Sequence, residues 1–305
     1  MSWKGRDVIN ILDFTAEDLN LLFRLANEYA DTDYRGDDLR DRMAALIFME
    51  PSTRTMYSFM SAVYRLGGNP ITLSKVESSS IAKGETFGDT IRMFDSYTDI
   101  IVVRDRREGA AKYAAEIADS PVINGGDGAH NHPTQAMIDL FTITRYRGSV
   151  DGLNIGVLGD LKYGRAAISF ILGLTLYDPK NIYLISPESL RLKKEVRDYL
   201  DSLGINYFET DNLTEVITDL DVLYVTRIQK ERFPDPLEYE RVRGSYKVDL
   251  SILSNAKDDL MVMHPLPRVD EISIDVDETK YQYYFKQAKN GVYLRMALLK
   301  LILGD

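Results

Sequence analysis

Glu50-Pro51-Ser52-Thr53-Arg54-Thr55 joins an apolar run, Met43 to Met49, to a helical pattern that ends at Gly67-Gly68. The order is strand, polar turn, helix, and the turn falls where the helix begins. The first N–H groups of a helix have no partner inside it, and the macrodipole favours negative charge there. Ser52, Thr53 and Thr55 add hydroxyl donors, and Arg54 adds a planar fork suited to phosphate. The stretch therefore reads as an anion site for a phosphate or phosphonate group. Ser52 or Thr53 could also merely cap the helix, but a plain cap needs neither Arg54 nor Thr55.

Working outward, the units on either side repeat the same alternation. Thr15 and Asp18 form a capping-box pair ahead of Leu19, Leu22, Phe23, Ala26, Tyr29 and Ala30 at helical spacing. After the anion turn come a short strand near residues 70–73, a polar loop around Ser78-Ser79-Ser80 and Lys83-Gly84-Glu85, and a helix. The next elements are a strand at 100–103, a helix at 109–117, a strand at 122–123 and a helix from Pro133 to Tyr146. A second series opens with a strand at 154–158, and further strands are expected at 181–185, 221–225 and 260–263. The stretch 285–303 reads as a long helix rich in Leu and Met. This alternation predicts an α/β protein of two doubly wound, mostly parallel-sheet domains with an active-site cleft between them. The boundary is expected at Arg147-Gly148-Ser149.

Composition limits the function. The chain has 305 residues, 45% of them hydrophobic and 28% charged, enough for two cores. A net charge of −10 argues against nucleic acid or an anionic membrane as partner, though a local arginine cluster can still hold an anionic substrate. No cysteine is present, so there is no disulfide, thiol nucleophile or thiolate metal site. No apolar run reaches the roughly 18 residues of a membrane span, and no signal-peptide core opens the sequence. A cytoplasmic protein is expected.

The chemically rich segments fall at expected strand ends, where ligands of such sheets bind. Arg104 ends the strand at 100–103 and is either a solvated charge or a ligand contact. Gly125-Gly-Asp-Gly-Ala-His-Asn-His132-Pro-Thr-Gln135 lies between strand and helix, with Pro133 suited to the first helical position and His132 and Gln135 beside it. His132 could equally be a hydrogen-bonded structural histidine. With three histidines in all, the pair His130 and His132 does not make a metal site, and none is expected. The run Gly156 to Arg165 lacks the glycine spacing and acidic ribose partner of a dinucleotide fingerprint. Its Lys162 and Arg165 point instead to carboxylate recognition. Arg227-Ile-Gln229 follows the strand at 221–225 as either a charged loop or a second carboxylate site. His264-Pro-Leu-Pro-Arg268 follows the strand at 260–263, its prolines stiffening the loop.

Taken together, Ser52-Thr-Arg-Thr55, Lys83-Gly84-Glu85, Arg104, His132-Pro-Thr-Gln135, Gly159-Asp-Leu-Lys-Tyr-Gly-Arg165, Arg227-Ile-Gln229 and His264-Pro-Leu-Pro-Arg268 resemble the catalytic chains of the aspartate carbamoyltransferase family over nearly the whole length. The ornithine branch carries a His-Cys-Leu-Pro loop, which a chain without cysteine lacks. Two guanidinium forks, Arg165 and Arg227, suit the two carboxylates of aspartate. Met56 and Met60 stand where family members commonly have Arg and Glu, which bears on subunit contacts or stability more than on the chemistry.

The resemblance implies transfer of the carbamoyl group of carbamoyl phosphate to L-aspartate in pyrimidine synthesis, without metal or cofactor. It implies that Ser52, Thr53, Arg54 and Thr55 hold the phosphate and that Arg54 also stabilises the leaving group. Thr55, Arg104 and His132 would polarise the carbamoyl oxygen, Gln135 would bind its amino group, and the Leu266 and Pro267 carbonyls would lie near the amines. Arg165, Arg227, Gln229, Ser79 and Lys83 would serve aspartate, with Ser79 and Lys83 supplied by a neighbouring subunit of a homotrimer. Residues 1–148, joined by the helix at 285–305, would bind carbamoyl phosphate, and 149–284 would bind aspartate. Regulatory chains are left open. The alternatives are an ornithine or other amino-acid carbamoyltransferase, or a non-catalytic anion-binding subunit.

Overall fold

The apolar run at 43–48 becomes an inner strand of a parallel sheet, where Ala45, Leu46 and Ile47 are wholly buried. A strand covered on both faces has no use for alternation, so it reads as a continuous apolar run. The computed structural model describes residues 2–74, 83–228 and 235–304. Ser79 and Gln229 lie outside the described residues.

The first elements are α1 (Ala16–Thr32), β1 (Met43–Phe48), α2 (Thr53–Arg65), β2 (Asn69–Leu73), α3 (Phe87–Asp95), β3 (Ile100–Asp105), α4 (Ala110–Ile117), β4 (Val122–Asp127) and α5 (Pro133–Arg147). They are followed by β5 (Asn154–Leu158), α6 (Arg165–Leu174), β6 (Asn181–Ile185), α7 (Lys194–Ser202), β7 (Tyr207–Thr210) and β8 (Val222–Val225). The last are α8 (Pro236–Val242), α9 (Leu250–Leu253), β9 (Met261–Met263) and α10 (Tyr284–Leu303). The strands form two sheets, ordered β2-β1-β3-β4 and β7-β6-β5-β8-β9, and every ladder is parallel.

The chain divides into two units, residues 1–138 with 289–305 and residues 139–288, so the division passes within α5 and again within α10. In the first unit the expected capping box at α1 is present, Thr15 and Asp18 each accepting the other's backbone N–H. Ile47, Ile91, Ile101, Val103 and Val122 share its core. Tyr293 of α10 donates to Asp33 Oδ1 at 2.7 Å, and Gly5 N–H reaches the Ile302 carbonyl at 3.0 Å. In the second unit Leu158, Ile185, Leu223, Val225, Val262 and Tyr284 belong to one buried cluster.

Three strands depart most from the reading of the sequence. Arg104 lies inside β3, which continues to Asp105, and does not end the strand. β4 runs through Gly125 and Gly126 to Asp127, where only residues 122–123 were expected. Both glycines sit where the β3–β4 ladder shifts register, between the pairs Val103–Asn124 and Asp105–Asp127; Gly126 takes φ 113°, and a Cβ at Gly125 would stand 3.2 Å from the Val103 carbonyl. β7 was not expected. It is a four-residue edge strand whose half-buried residues carry little alternation.

Candidate active site

In the first sheet the chain steps from β1 outward to β2, then returns to place β3 on the other side of β1. The gap between β1 and β3 is a topological switch point, where strand carboxyl ends leave room for a ligand. The turn after β1 and Arg104 on β3 both lie at it. Phe48 and Arg104 are paired in register, and Met49 N–H donates to the Arg104 carbonyl at 2.8 Å. Arg104 Nη2 reaches Glu50 Oε1 at 3.3 Å and its Nη1 reaches the Gly125 carbonyl at 3.2 Å. Glu50 therefore ties Arg104 to the start of the turn.

Ser52 stands at the N-cap of α2 with extended backbone, yet its side chain makes no cap hydrogen bond. The hydroxyl is not spent on capping, which favours the anion reading. Arg54 is exposed and Thr55 is buried in the first turn of the same helix.

The segment from β4 to α5 is organised by the buried Asp127 carboxylate. It accepts Asn124 Nδ2 at 3.0 Å, Asn131 N–H at 3.1 Å and Gly109 N–H at 2.8 Å. His132 is buried, and its carbonyl accepts the N–H groups of Gln135 at 3.0 Å and Ala136 at 3.2 Å. The sequence did place His132 and Gln135 at a helix start. It did not reveal that Asp127 holds them there.

The second sheet has its switch point between β5 and β8. Leu158 pairs with Val225, and Thr226 N–H donates to the Leu158 carbonyl at 2.8 Å. Gly159 follows at φ 124°, and a Cβ there would lie 2.3 Å from the Thr226 carbonyl, so no other residue fits between these strand ends. Arg165, buried at the first position of α6, follows β5, and Arg227 follows β8. A pocket lined by Gly159, Arg227, Tyr239, Arg243, Tyr246 and Asp270 opens here. Tyr239, Arg243 and Tyr246 were not anticipated, because they follow no strand and belong to no motif. Leu266 is half-buried and Pro267 exposed, after β9, the neighbour of β8. Lys83, back in the first unit, is exposed and precedes Gly84 at φ 100°.

Asp160 is wholly buried in the loop after β5, and its Oδ1 accepts the N–H groups of Lys162 at 3.1 Å and Tyr163 at 2.8 Å. Burial outweighs these bonds and pushes its carboxyl up to about 6. A raised carboxyl binds its proton more tightly in the folded chain than in the unfolded one. Folding stability from this group is therefore intact below about pH 4 and declines by roughly 3 kcal/mol as pH climbs through 6. Asp160→Asn keeps an oxygen for both N–H groups and should abolish that decline, leaving the variant more stable than the parent at pH 7.5. Urea unfolding of both proteins at pH 4.5 and 7.5 checks this, and parallel pH dependence would refute it.

Among the described residues, no three His, Asp or Glu side chains converge as they would around a metal ion, and no helix is long and apolar enough to cross a membrane.

Three comparisons bear on what this architecture serves. Residues 6–145 match the family model for the aspartate/ornithine carbamoyltransferase carbamoyl-P binding domain, and residues 151–302 match that for the Asp/Orn binding domain. The chain belongs to the aspartate/ornithine carbamoyltransferase family. Within it, the chain is 59% identical over 303 residues to the aspartate carbamoyltransferase catalytic subunit of Korarchaeum cryptofilum, covering 99% of this chain and all of that one. The corresponding subunit of Thermofilum pendens is also 59% identical, over 98% of this chain and 95% of its own. Among solved structures, aspartate transcarbamoylase from Trypanosoma cruzi, in complex with N-(phosphonacetyl)-L-aspartic acid, superposes with a TM-score of 0.94 at 38% identity, covering 99% of this chain and 97% of that one. The catalytic subunit of the M. jannaschii enzyme gives 0.89 at 46% identity, covering 97% of each chain.

Proposed function

We propose that this chain is an aspartate carbamoyltransferase, transferring the carbamoyl group of carbamoyl phosphate to the amino group of L-aspartate to give N-carbamoyl-L-aspartate and phosphate in pyrimidine synthesis. The observation that carries the choice of acceptor is the second switch point, where Arg165 and Arg227 offer forks for two carboxylates. An ornithine side chain would want an acidic partner there. The Trypanosoma cruzi structures with carbamoyl phosphate and aspartate support the pairing of substrates.

Ser52, Thr53, Arg54, Thr55 and the start of α2 hold the phosphate. Thr55, Arg104 and His132 polarise the carbamoyl oxygen, and Gln135 binds the carbamoyl amino group. Arg165, Arg227 and Gln229 hold aspartate, and the Leu266 and Pro267 carbonyls accept from the amines. The amine attacks the carbamoyl carbon, a tetrahedral oxyanion forms, and the C–O bond to phosphate breaks as the amine loses a proton. Positioning and preorganised donors supply the catalysis. Residues 1–148 with 285–305 serve as the carbamoyl-phosphate domain and 149–284 as the aspartate domain. The enzyme works in the cytoplasm as a homotrimer in which Ser79 and Lys83 of one subunit complete the site of the next. The designation of its relatives as catalytic subunits supports an oligomer.

A steady-state assay for carbamoyl aspartate, with ornithine as the control acceptor, tests the reading. Product from aspartate alone is expected; product from ornithine alone would overturn it. Arg227→Ala should mainly harm the use of aspartate, since a lost charged hydrogen bond is worth on the order of 1.5–3 kcal/mol, or about 10- to 150-fold in KM. Carbamoyl phosphate affinity, measured calorimetrically without aspartate, should stay unchanged. A large loss there would place Arg227 at the other substrate.

A further inference from the structure

Five side chains with no part in the reaction as written form one buried relay behind the loop at 264–268, all within the second unit. Tyr224 Oη donates to Asp139 Oδ2 at 2.8 Å, and Gln287 Nε2 donates to Asp139 Oδ1 at 2.6 Å. Gln287 Oε1 accepts the backbone N–H of His264 at 2.9 Å. His264 Nδ1 accepts the N–H of Leu266 at 2.8 Å, and its Nε2 stands 2.6 Å from Glu271 Oε1. Glu271 Oε2 accepts the N–H groups of Val269 at 3.0 Å and Asp270 at 3.1 Å. Tyr224 and Asp139 are wholly buried, and Gln287 and His264 are each 1% exposed.

The relay settles the state of His264. A nitrogen that accepts an N–H carries no proton, so Nδ1 is bare and Nε2 bears the hydrogen donated to Glu271. Burial pulls the imidazole below its ordinary range, and nearby Arg268 and Arg227 add to this, while Glu271 opposes it. Burial pushes the Glu271 carboxyl up, but the bond from His264 and the two backbone N–H groups outweigh it and leave it below its ordinary range. A neutral ring donating to a carboxylate satisfies both.

What the relay holds is a strained residue. Leu266 has φ 55°, a left-handed conformation that costs a side-chain-bearing residue about 1–3 kcal/mol and persists only where its surroundings dictate it. The His264 ring supplies that constraint through the Leu266 N–H, and the same peptide geometry aims the Leu266 carbonyl.

We propose that Gln287, Asp139 and Tyr224 are positioning residues for carbamoyl transfer, acting through His264 to hold the turn that points the Leu266 and Pro267 carbonyls at the substrate amines. This rests on the reaction proposed above. Gln287→Met keeps the side chain's length and loses both hydrogen bonds, whereas Gln287→Glu keeps the acceptor for the His264 N–H. A carbonyl displaced by an ångström costs on the order of 100-fold, so Gln287→Met should lower kcat/KM for aspartate about 10- to 100-fold. Gln287→Glu, holding a proton shared with the Asp139 carboxylate beside it, should recover part of the loss. The Kd for inorganic phosphate should not move. If Gln287 only fills space, the Met variant will match the parent, and the proposal fails. An equal loss of phosphate affinity would mark general damage and also overturn it. Nitrogen-15 spectra of the parent's three histidines provide a test that needs no variant. His264 should stay neutral with its proton on Nε2 across the range where histidine ordinarily titrates, about pH 5.5 to 7.5. A proton on Nδ1, or titration in that range, refutes the relay even if the Gln287 variants do not fold. A parent that binds phosphate but makes no carbamoyl aspartate would sink the proposed reaction, and the same spectra would then judge the relay.

Discussion

An Arg54→Ala variant should turn over about 100- to 1,000-fold more slowly than the parent, with a much smaller loss of affinity for either substrate. Arg54 is the second residue of α2, exposed at the helix end where N–H groups lack partners. On the proposed assignment the ground-state phosphate already has the helix start and the hydroxyls of Ser52, Thr53 and Thr55. As the C–O bond breaks, negative charge on the departing oxygen grows, and a guanidinium fork gains most at that moment. Removing it therefore costs the transition state more than the bound substrate. Steady-state kinetics with calorimetric binding of carbamoyl phosphate separates the two. Equal losses in turnover and binding would reduce Arg54 to a binding residue.

Mixing two inactive variants should restore activity. Lys83 is exposed in its own chain and follows the end of β2 by ten residues in sequence, while the first unit carries Ser52 to Thr55 itself. If Lys83 completes the site of a neighbouring subunit, Lys83→Ala and Arg54→Ala trimers should each be nearly inactive. Denatured together and refolded, some mixed trimers contain a site that draws Arg54 from one chain and Lys83 from another. Activity should then rise well above that of either variant alone. Mixing without subunit exchange should restore nothing, because closed rings keep their own chains. Verified mixed trimers without recovered activity would refute the shared site.

Much of this was legible in the sequence because the physics was local. A buried parallel strand shows as an apolar run, so β1, β3, β5, β6 and β8 could be placed to within a residue or two. Motifs at strand ends marked Ser52 to Thr55, Arg165 and Arg227, because α/β sheets bind ligands there. β7 was invisible, being short and at an edge, where packing imposes no pattern. The length of β4 was hidden because two glycines in a row read as a turn, and the register shift that seats them is visible only with β3 in place. The relay from Tyr224 to Glu271 joins residues far apart in sequence through a glutamine and a tyrosine with no motif of their own. Tyr239, Arg243 and Tyr246 reach their pocket by the fold alone.

The division of the chain within α5 and α10 has a bearing on its synthesis. Chains generally fold a domain at a time as they emerge, the leading one first. Here residues 139–288 are all made before residues 289–305, yet Asp33 waits for Tyr293, Asp38 for Lys300 and the carbonyl-seeking Gly5 for Ile302. The unit begun first is the one finished last. A nascent chain halted after residue 288 would thus present a completed later unit and an earlier one still lacking its closing helix.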